Sequence, residues 1–139
     1  MQIKTLSFGI DTNGKTDIID ITSRVQSILN ESQFKEGNAL VFVPGATAGI
    51  TTIEYEAGLL KDYPEFMESI VPSNRTYHHD EAWQDGNGHS HIRAALQGGS
   101  FTVPFIDGQL TLGTWQQIIL IDFDNRPRKR KVVVQLIGK

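Results

Sequence analysis

All four histidines of the chain, His78, His79, His89 and His91, fall in one short stretch, Tyr77-His78-His79-Asp80-Glu81-Ala82-Trp83-Gln84-Asp85-Gly86-Asn87-Gly88-His89-Ser90-His91. Asp80, Glu81 and Asp85 lie among them. Imidazole beside carboxylate is the donor set of a Zn²⁺-type site or of a proton-transfer site. Gly86-Asn87-Gly88 lets the backbone turn sharply, so the two histidine pairs can converge. In extended chain His89 and His91 point to the same side, whereas on a regular helix they lie far apart around the axis. Shared metal ligation therefore requires His89 ahead of a helix and His91 in its first turn, with His79 reaching across the glycine turn to complete the set. His78 is adjacent to His79 and points the other way. The same residues also suit a solvated surface loop, and spacing alone leaves both uses open.

Other chemistry is sparser. Glu54 follows a β-branched run and precedes a helical pattern, a place for an acid/base or metal group, or for a carboxylate that satisfies a helix dipole. Ala46-Thr47-Ala48-Gly49 and Gly98-Gly99-Ser100 are small-residue turns that fit neither a P-loop nor a dinucleotide fingerprint. Arg126-Pro127-Arg128-Lys129-Arg130-Lys131 is a dense basic run between two strand-like segments, which reads as a hairpin with a charged exposed face, its lysines protecting a sheet edge. Trp115 reads as core, with an interface anchor as the alternative.

Periodicity supplies the scaffold for these groups. Strands are expected at Ile3 to Ile10, Thr16 to Ile21, Ala39 to Val43, Ile50 to Ile53, Ser100 to Phe105, Gln109 to Thr111, Trp115 to Phe123 and Lys131 to Ile137. Asn13-Gly14 and Asp107-Gly108 mark tight turns. A first helix opens at Thr22 or Ser23, with Ser23 to Gln26 as a capping box and Val25, Ile28 and Leu29 as its apolar stripe. Leu59, Leu60, Tyr63, Phe66, Met67 and Ile70 recur at helical spacing, with a break or a new start expected at Pro64. The histidine stretch has no period and reads as loop, followed by a short helix from about Ser90 that Gly98-Gly99 stops. The expected fold is α+β: a single domain over residues 1–139, mostly antiparallel sheet, with two or three short helices. Trp115 to Ile137 carries more apolar residues than one sheet face needs, and surplus apolar surface usually finds a partner.

The chain has no cysteine, which excludes disulfides and thiolate metal sites and is consistent with a reducing cytoplasm. The N-terminus is too short and polar for a signal peptide, and no apolar run approaches a membrane span. A net charge of −3 argues against a general nucleic-acid binder.

Four segments in order, Thr47-Ala48-Gly49-Ile50-Thr51-Thr52-Ile53-Glu54, Tyr77-His78-His79-Asp80, Asn87-Gly88-His89-Ser90-His91 and Leu112-Gly113-Thr114-Trp115-Gln116-Gln117, resemble the YjbQ-like family, also called the secondary thiamine-phosphate synthase family. The resemblance covers essentially the whole chain. It implies the α+β fold, a homotrimer and a divalent-metal site, with Zn²⁺ expected and Mg²⁺ open for catalysis. It also implies a weak activity that joins a hydroxymethylpyrimidine diphosphate to a thiazole phosphate and releases pyrophosphate. The alternative is a trimeric metal- or ligand-binding protein without important turnover. Family-wide positions match Glu54, His79, Asp80 and His91, whereas His89 is not general. The family commonly carries His, Ser or Thr where this chain has Gly45 and Ala46. On this reading His79, His89 and His91 hold metal, with Glu54 as the second choice to His89. Glu54 and Asp80 serve as acid/base or orienting groups, and Thr47, Arg75 and Arg93 meet phosphorylated substrate. The expected setting is the cytoplasm, with no nucleic-acid or membrane partner.

Overall fold

The computed structural model describes every residue from 1 to 139. In chain order its elements are β1 (Gln2–Thr12), β2 (Asp17–Asp20), α1 (Thr22–Ser32), β3 (Glu36–Phe42), β4 (Ala48–Ile53), α2 (Leu59–Ile70), α3 (His78–Trp83), α4 (Gly88–Gln97), β5 (Ser100–Ile106), β6 (Gln109–Leu110), β7 (Gln117–Asp122) and β8 (Arg128–Gly138). The strands form a five-stranded sheet in the order β1-β8-β3-β5-β6 and a three-stranded sheet in the order β2-β7-β4, with every pairing antiparallel. β1 and β8 pair along their whole lengths, from Gln2 opposite Gly138 to Thr12 opposite Arg128. The α+β, mostly antiparallel expectation stands, with four helices instead of two or three. No helix is long and apolar enough to cross a membrane.

Why the sheets stack follows from β7. Its run Ile118-Ile119-Leu120-Ile121 is apolar without alternation because both faces are covered. Ile118 and Leu120 enter the main core with Ile50 of the same sheet, Val41, Val134 and Leu136 of the large sheet, and Val25 and Leu29 of α1. Ile119, Ile121 and Phe123 point the other way, against Met67 of α2 and Ala94 of α4. The apolar surplus read from this region is thus absorbed by two helices of the same chain. Each such side chain contributes roughly 1.5–3 kcal/mol on burial.

Four local expectations are corrected. α1 has no side-chain cap: Thr22 Oγ1 accepts from the Ile118 N–H and donates to Asp20, while no bond joins Ser23 to Gln26. α2 runs through Pro64 unbroken. The missing Pro64 N–H frees only one carbonyl of the helix, and Tyr63 and Met67 dock it on the second core. Trp115 is 71% exposed, in the turn before β7, and is not core. The basic run does form a hairpin strand, but β8 lies between β1 and β3 and is no edge.

Two arginines of that basic run turn inward. Arg128 and Arg130 share a face with Val132 and Val134, because strand side chains alternate with period two. Arg130 Nε donates to Asp122 Oδ2 at 2.7 Å, and Arg128 Nε donates to Asp124 Oδ2 at 2.8 Å. Both carboxylates are fully buried. Thr12 donates to Asp122 at 2.6 Å, and Thr47 donates to Asp124 at 3.0 Å. Burial pushes the Asp124 carboxyl up, but the N–H of Asn125 and the bonds from Arg128, Thr47 and Asn87 outweigh it, and the net shift is downward.

Removing one partner from a buried ion pair leaves an uncompensated charge. Arg130→Met should therefore lower stability by about 3–5 kcal/mol in urea unfolding. Lys129→Met, one residue away on the exposed face, should stay within about 0.5 kcal/mol of wild type. Equal effects from the two would show that the Asp122–Arg130 pair is not what the hairpin depends on.

Candidate functional site

The histidine stretch is two helices, not a loop. Asp80 organises them. Its Oδ2 accepts the Tyr77 N–H at 3.0 Å, capping α3, and its Oδ1 accepts the Gly88 N–H at 2.8 Å, tying down the first residue of α4. These two amides, Tyr77 first, hold the Asp80 carboxyl below its usual range, with smaller help from His79 and His89. The approach is close enough that a Cβ on Gly88 would meet the Tyr77 Cβ at 2.6 Å, so only glycine fits. α3 closes on Gln84 in the left-handed conformation at φ 58, and α4 starts at Gly88, two residues before the expected point.

That start separates His89 from His91. Both belong to α4, where a two-residue step turns a side chain by about 200°. His91 instead stands beside His79, with ring centroids 4.4 Å apart and planes inclined by 37°. The compact donor group is His79, Asp80 and Asp85, whose ligand atoms all lie within 4.8 Å of one another. His79 Nδ1 is buried without a hydrogen-bond partner, and Asp85 Oδ1 lies 3.4 Å from it. One imidazole and two carboxylates fit Zn²⁺ and similar divalent ions, with open positions left for water or substrate. The sequence points to Asp85 only as one of three carboxylates among the histidines, not as a ligand. Its only signal was a carboxylate just outside α3, ahead of Gly86. The Asn87 amide lies between Asp85 and Asp124, and its NH2 faces one or the other carboxylate according to the amide orientation.

His91 also lines a groove of about 330 Å³ with Phe42, Val43, Ala46, Ala48 and Ala95 among its walls. Gly45 and Ala46, where the resemblance has His, Ser or Thr, face this groove, so its far wall here is methyl and backbone.

The other expected residues lie apart from this group. His89, 7% exposed, lines a separate cavity of about 390 Å³ with Arg93 and Glu68. Burial and then the Arg93 charge push its pKa down, against the pull of Glu68, Asp80 and Asp124. Arg93 is buried and donates to the Val71 carbonyl, Thr16 Oγ1 and Glu68. Thr47 is buried between Asp124 and Arg130, accepting from Arg130 Nη2 at 2.7 Å. Arg75 rests over the Tyr77 ring at 5.1 Å. Glu54 lines a third cavity with Asp20, Tyr55, Glu56 and Trp115, which contains none of the histidines. His78 is fully exposed beside Glu81.

Comparison with known proteins identifies the family and the fold. The family model described as "UPF0047 protein YjbQ-like" matches residues 6–139. The chain is similar to a UPF0047 protein of Methanothermobacter thermautotrophicus, with 39% identity over all of this chain and 95% of that one. Its fold is similar to a crystal structure of a YbjQ-like protein of unknown function from Sulfolobus solfataricus (TM-score 0.89, 30% identity, 99% of this chain and 100% of that chain). It is also similar to an uncharacterised conserved protein of the YjbQ/UPF0047 family from Clostridium acetobutylicum (TM-score 0.87, 37% identity, 95% and 99%).

The Arg93 surroundings carry a pH signature. The Ser73 N–H, then the Arg93 hydrogen bond, hold the Glu68 carboxyl at about 2, below its ordinary 4.5. A carboxyl depressed in the folded state contributes stability that is fully present above the unfolded pKa and is lost as pH falls toward the folded one. Between pH 4.5 and about 2 wild type should lose stability that Glu68→Gln does not, the variant being less stable at pH 7. Parallel acid limbs for the two proteins in thermal unfolding would rule this out.

Proposed function

The chain belongs to the YjbQ-like UPF0047 family, and on that basis we propose that His79, Asp80 and Asp85 hold a divalent metal ion, Zn²⁺ first, where a phosphorylated small molecule binds. The observation that carries this reading is the donor cluster lying next to His91, which itself opens onto an apolar groove. Phosphate oxygens belong at the donor cluster, and a flat heterocycle belongs in the groove. The reaction that fits is thiamine-phosphate synthase-like transfer. The bond from the pyrimidine methylene to the diphosphate oxygen breaks, its electron pair leaving with pyrophosphate. The thiazole ring nitrogen forms the new C–N bond and becomes cationic, so no external proton or oxidant is needed.

His79, Asp80 and Asp85 would hold the cation, which when bound would supply positive charge to the departing phosphate oxygens. Asp80, kept ionised by its two amide bonds, orients the cluster and is a poor proton donor at neutral pH. His91, beside His79 and lining the groove, would meet both halves of a diphosphate ester on this reading. A second reading is a binding protein without important turnover. What favours it is that Thr47, Arg75 and Arg93, the expected substrate contacts, are each engaged within the chain.

Calorimetry with Zn²⁺ on chelator-treated protein tests the metal site. One ion per chain is expected, with affinity falling at least about tenfold in His79→Ala and Asp85→Asn and staying near wild type in His78→Ala. Affinity should also drop as pH falls through the histidine range, because imidazole ligands must be deprotonated. Loss of binding in His78→Ala, with none in His79→Ala, would move the site. Equal thiamine-phosphate formation by wild type and His91→Ala, given both phosphorylated halves, would detach the activity from it.

The homotrimer belongs to the same reading. Exposed Phe42, Trp115, Ile106 and Ile137 are apolar surface that subunit contacts would cover. Light scattering should report the mass of three 15.5 kDa chains at micromolar concentration, and a monomer would refute the assembly.

A further inference from the structure

On the opposite side of α4 from His91 lies the cavity of about 390 Å³ walled by Lys15, Thr16, Glu68, Gly86, His89, Arg93 and Asn125, with the Pro64 ring as its one apolar side chain. Its size is that of a small-ligand pocket, but such pockets are mostly apolar. We propose that it is a second binding site, for the oxyanion group of a small polar molecule, and that Lys15 supplies the neutralising charge.

Charge accounting points to an anion. Glu68 is the one carboxylate in the wall, and it is already satisfied by Arg93 at 2.8 Å and by the Ser73 N–H and hydroxyl. Those two charges cancel. Lys15 forms no ion pair, so the cavity is left with one uncompensated positive charge. Unspent donors lie around it. Arg93 uses its Nε–H on Val71, both Nη2 hydrogens on Val71 and Glu68, and one Nη1 hydrogen on Thr16, leaving the other Nη1 hydrogen without a partner. Thr16 Oγ1 accepts that bond, and its own hydrogen has no acceptor. His89, more than nine-tenths buried, lines the same wall.

The wall is also built at a cost. Gly14, Lys15 and Thr16 follow one another in the left-handed region at φ 72, 57 and 62. For a β-branched residue such as Thr16 this is a true outlier, a strain that the surrounding contacts must hold in place. The turn is held there by the Lys15 N–H on the Asp124 carbonyl and by Arg93 on Thr16. Its effect is to place Lys15 and the Thr16 hydroxyl on the cavity where Arg93 and His89 already are.

The site is separate from the metal cluster and does not rest on it. The test is a two-dimensional NMR titration with sodium phosphate at constant ionic strength, on protein as purified and after chelation, with sodium acetate as a second arm. Saturable shifts should appear at Lys15, Thr16, Gly86, His89 and Asn125, and they should survive chelation. Lys15→Gln should weaken them about tenfold or more, the worth of one charge-assisted bond, while Lys35→Gln at the far end of the large sheet leaves them unchanged. The same spectra report that each variant is folded. Saturation by phosphate alone assigns a phosphoryl ligand, and saturation by acetate as well assigns oxyanions generally. Shifts that rise linearly over the whole surface, that centre on His79 and His91 and vanish on chelation, or that ignore Lys15→Gln would each overturn the proposal.

Discussion

Two buried carboxylates in one turn of chain set the terms for this structure. Asp122 and Asp124 have no access to water, and like charges so close would be untenable alone. Arg128 and Arg130 reach them from β8, so the ion pairs join the small sheet to the large one. Thr12 ties in the end of β1, and Thr47 ties in the chain between β3 and β4. Asn87, at the start of α4, reaches toward the same Asp124. Both cavities flanking α4 are hung on this network. The cavity lined by Lys15 and Arg93 meets it where the Asp124 carbonyl takes the Lys15 N–H, and the His79, Asp80 and Asp85 group lies next to it across Asn87.

The donor cluster illustrates how backbone bonds can prepare a carboxylate for chemistry. Each Asp80 oxygen accepts one N–H, yet an ionised carboxylate has lone pairs to spare. The two amides fix its direction without using it up, which is how well-ordered metal ligands are usually held. Gly88 is the enabling residue, since any side chain there would push α4 away from Tyr77.

The sheet was largely legible because it rests on alternation and β-branched runs, which chain-local reading detects. α3 was not, because His78 to Trp83 buries no residue and has no apolar stripe. It is a helix by virtue of Asp80, which caps it locally through the Tyr77 N–H in a box without the usual Ser or Thr, and of packing against α4, which is tertiary. The His79–His91 pairing was within reach of the sequence, but its partner set was not. Which face of α4 carries His89 depended on where that helix starts, and two residues of error there exchange one cavity for the other. The inward turn of Arg128 and Arg130 was readable in principle, since they are in phase with Val132, Val134 and Leu136. A dense basic run invites an exposed reading, and only the buried acids opposite reverse it. Trp115 shows the converse: an aromatic beside an apolar strand that the chain leaves outside.

The register of β1 against β8 has a kinetic side. Eleven residues near one end of the chain find their sheet partners only among eleven near the other, and β8 is also the neighbour on which β3 builds. The large sheet cannot close until almost the whole chain is available, so its contacts are of the most non-local kind, and such topologies fold slowly. While β8 is awaited, β1 is a free strand with Ile3, Leu6, Phe8 and Ile10 along it, a template for pairing with another molecule. The small sheet shares this delay, since β7 must arrive before β2 and β4 have anything to pair with. A newly made copy therefore keeps an unpaired strand exposed for longer than its size suggests.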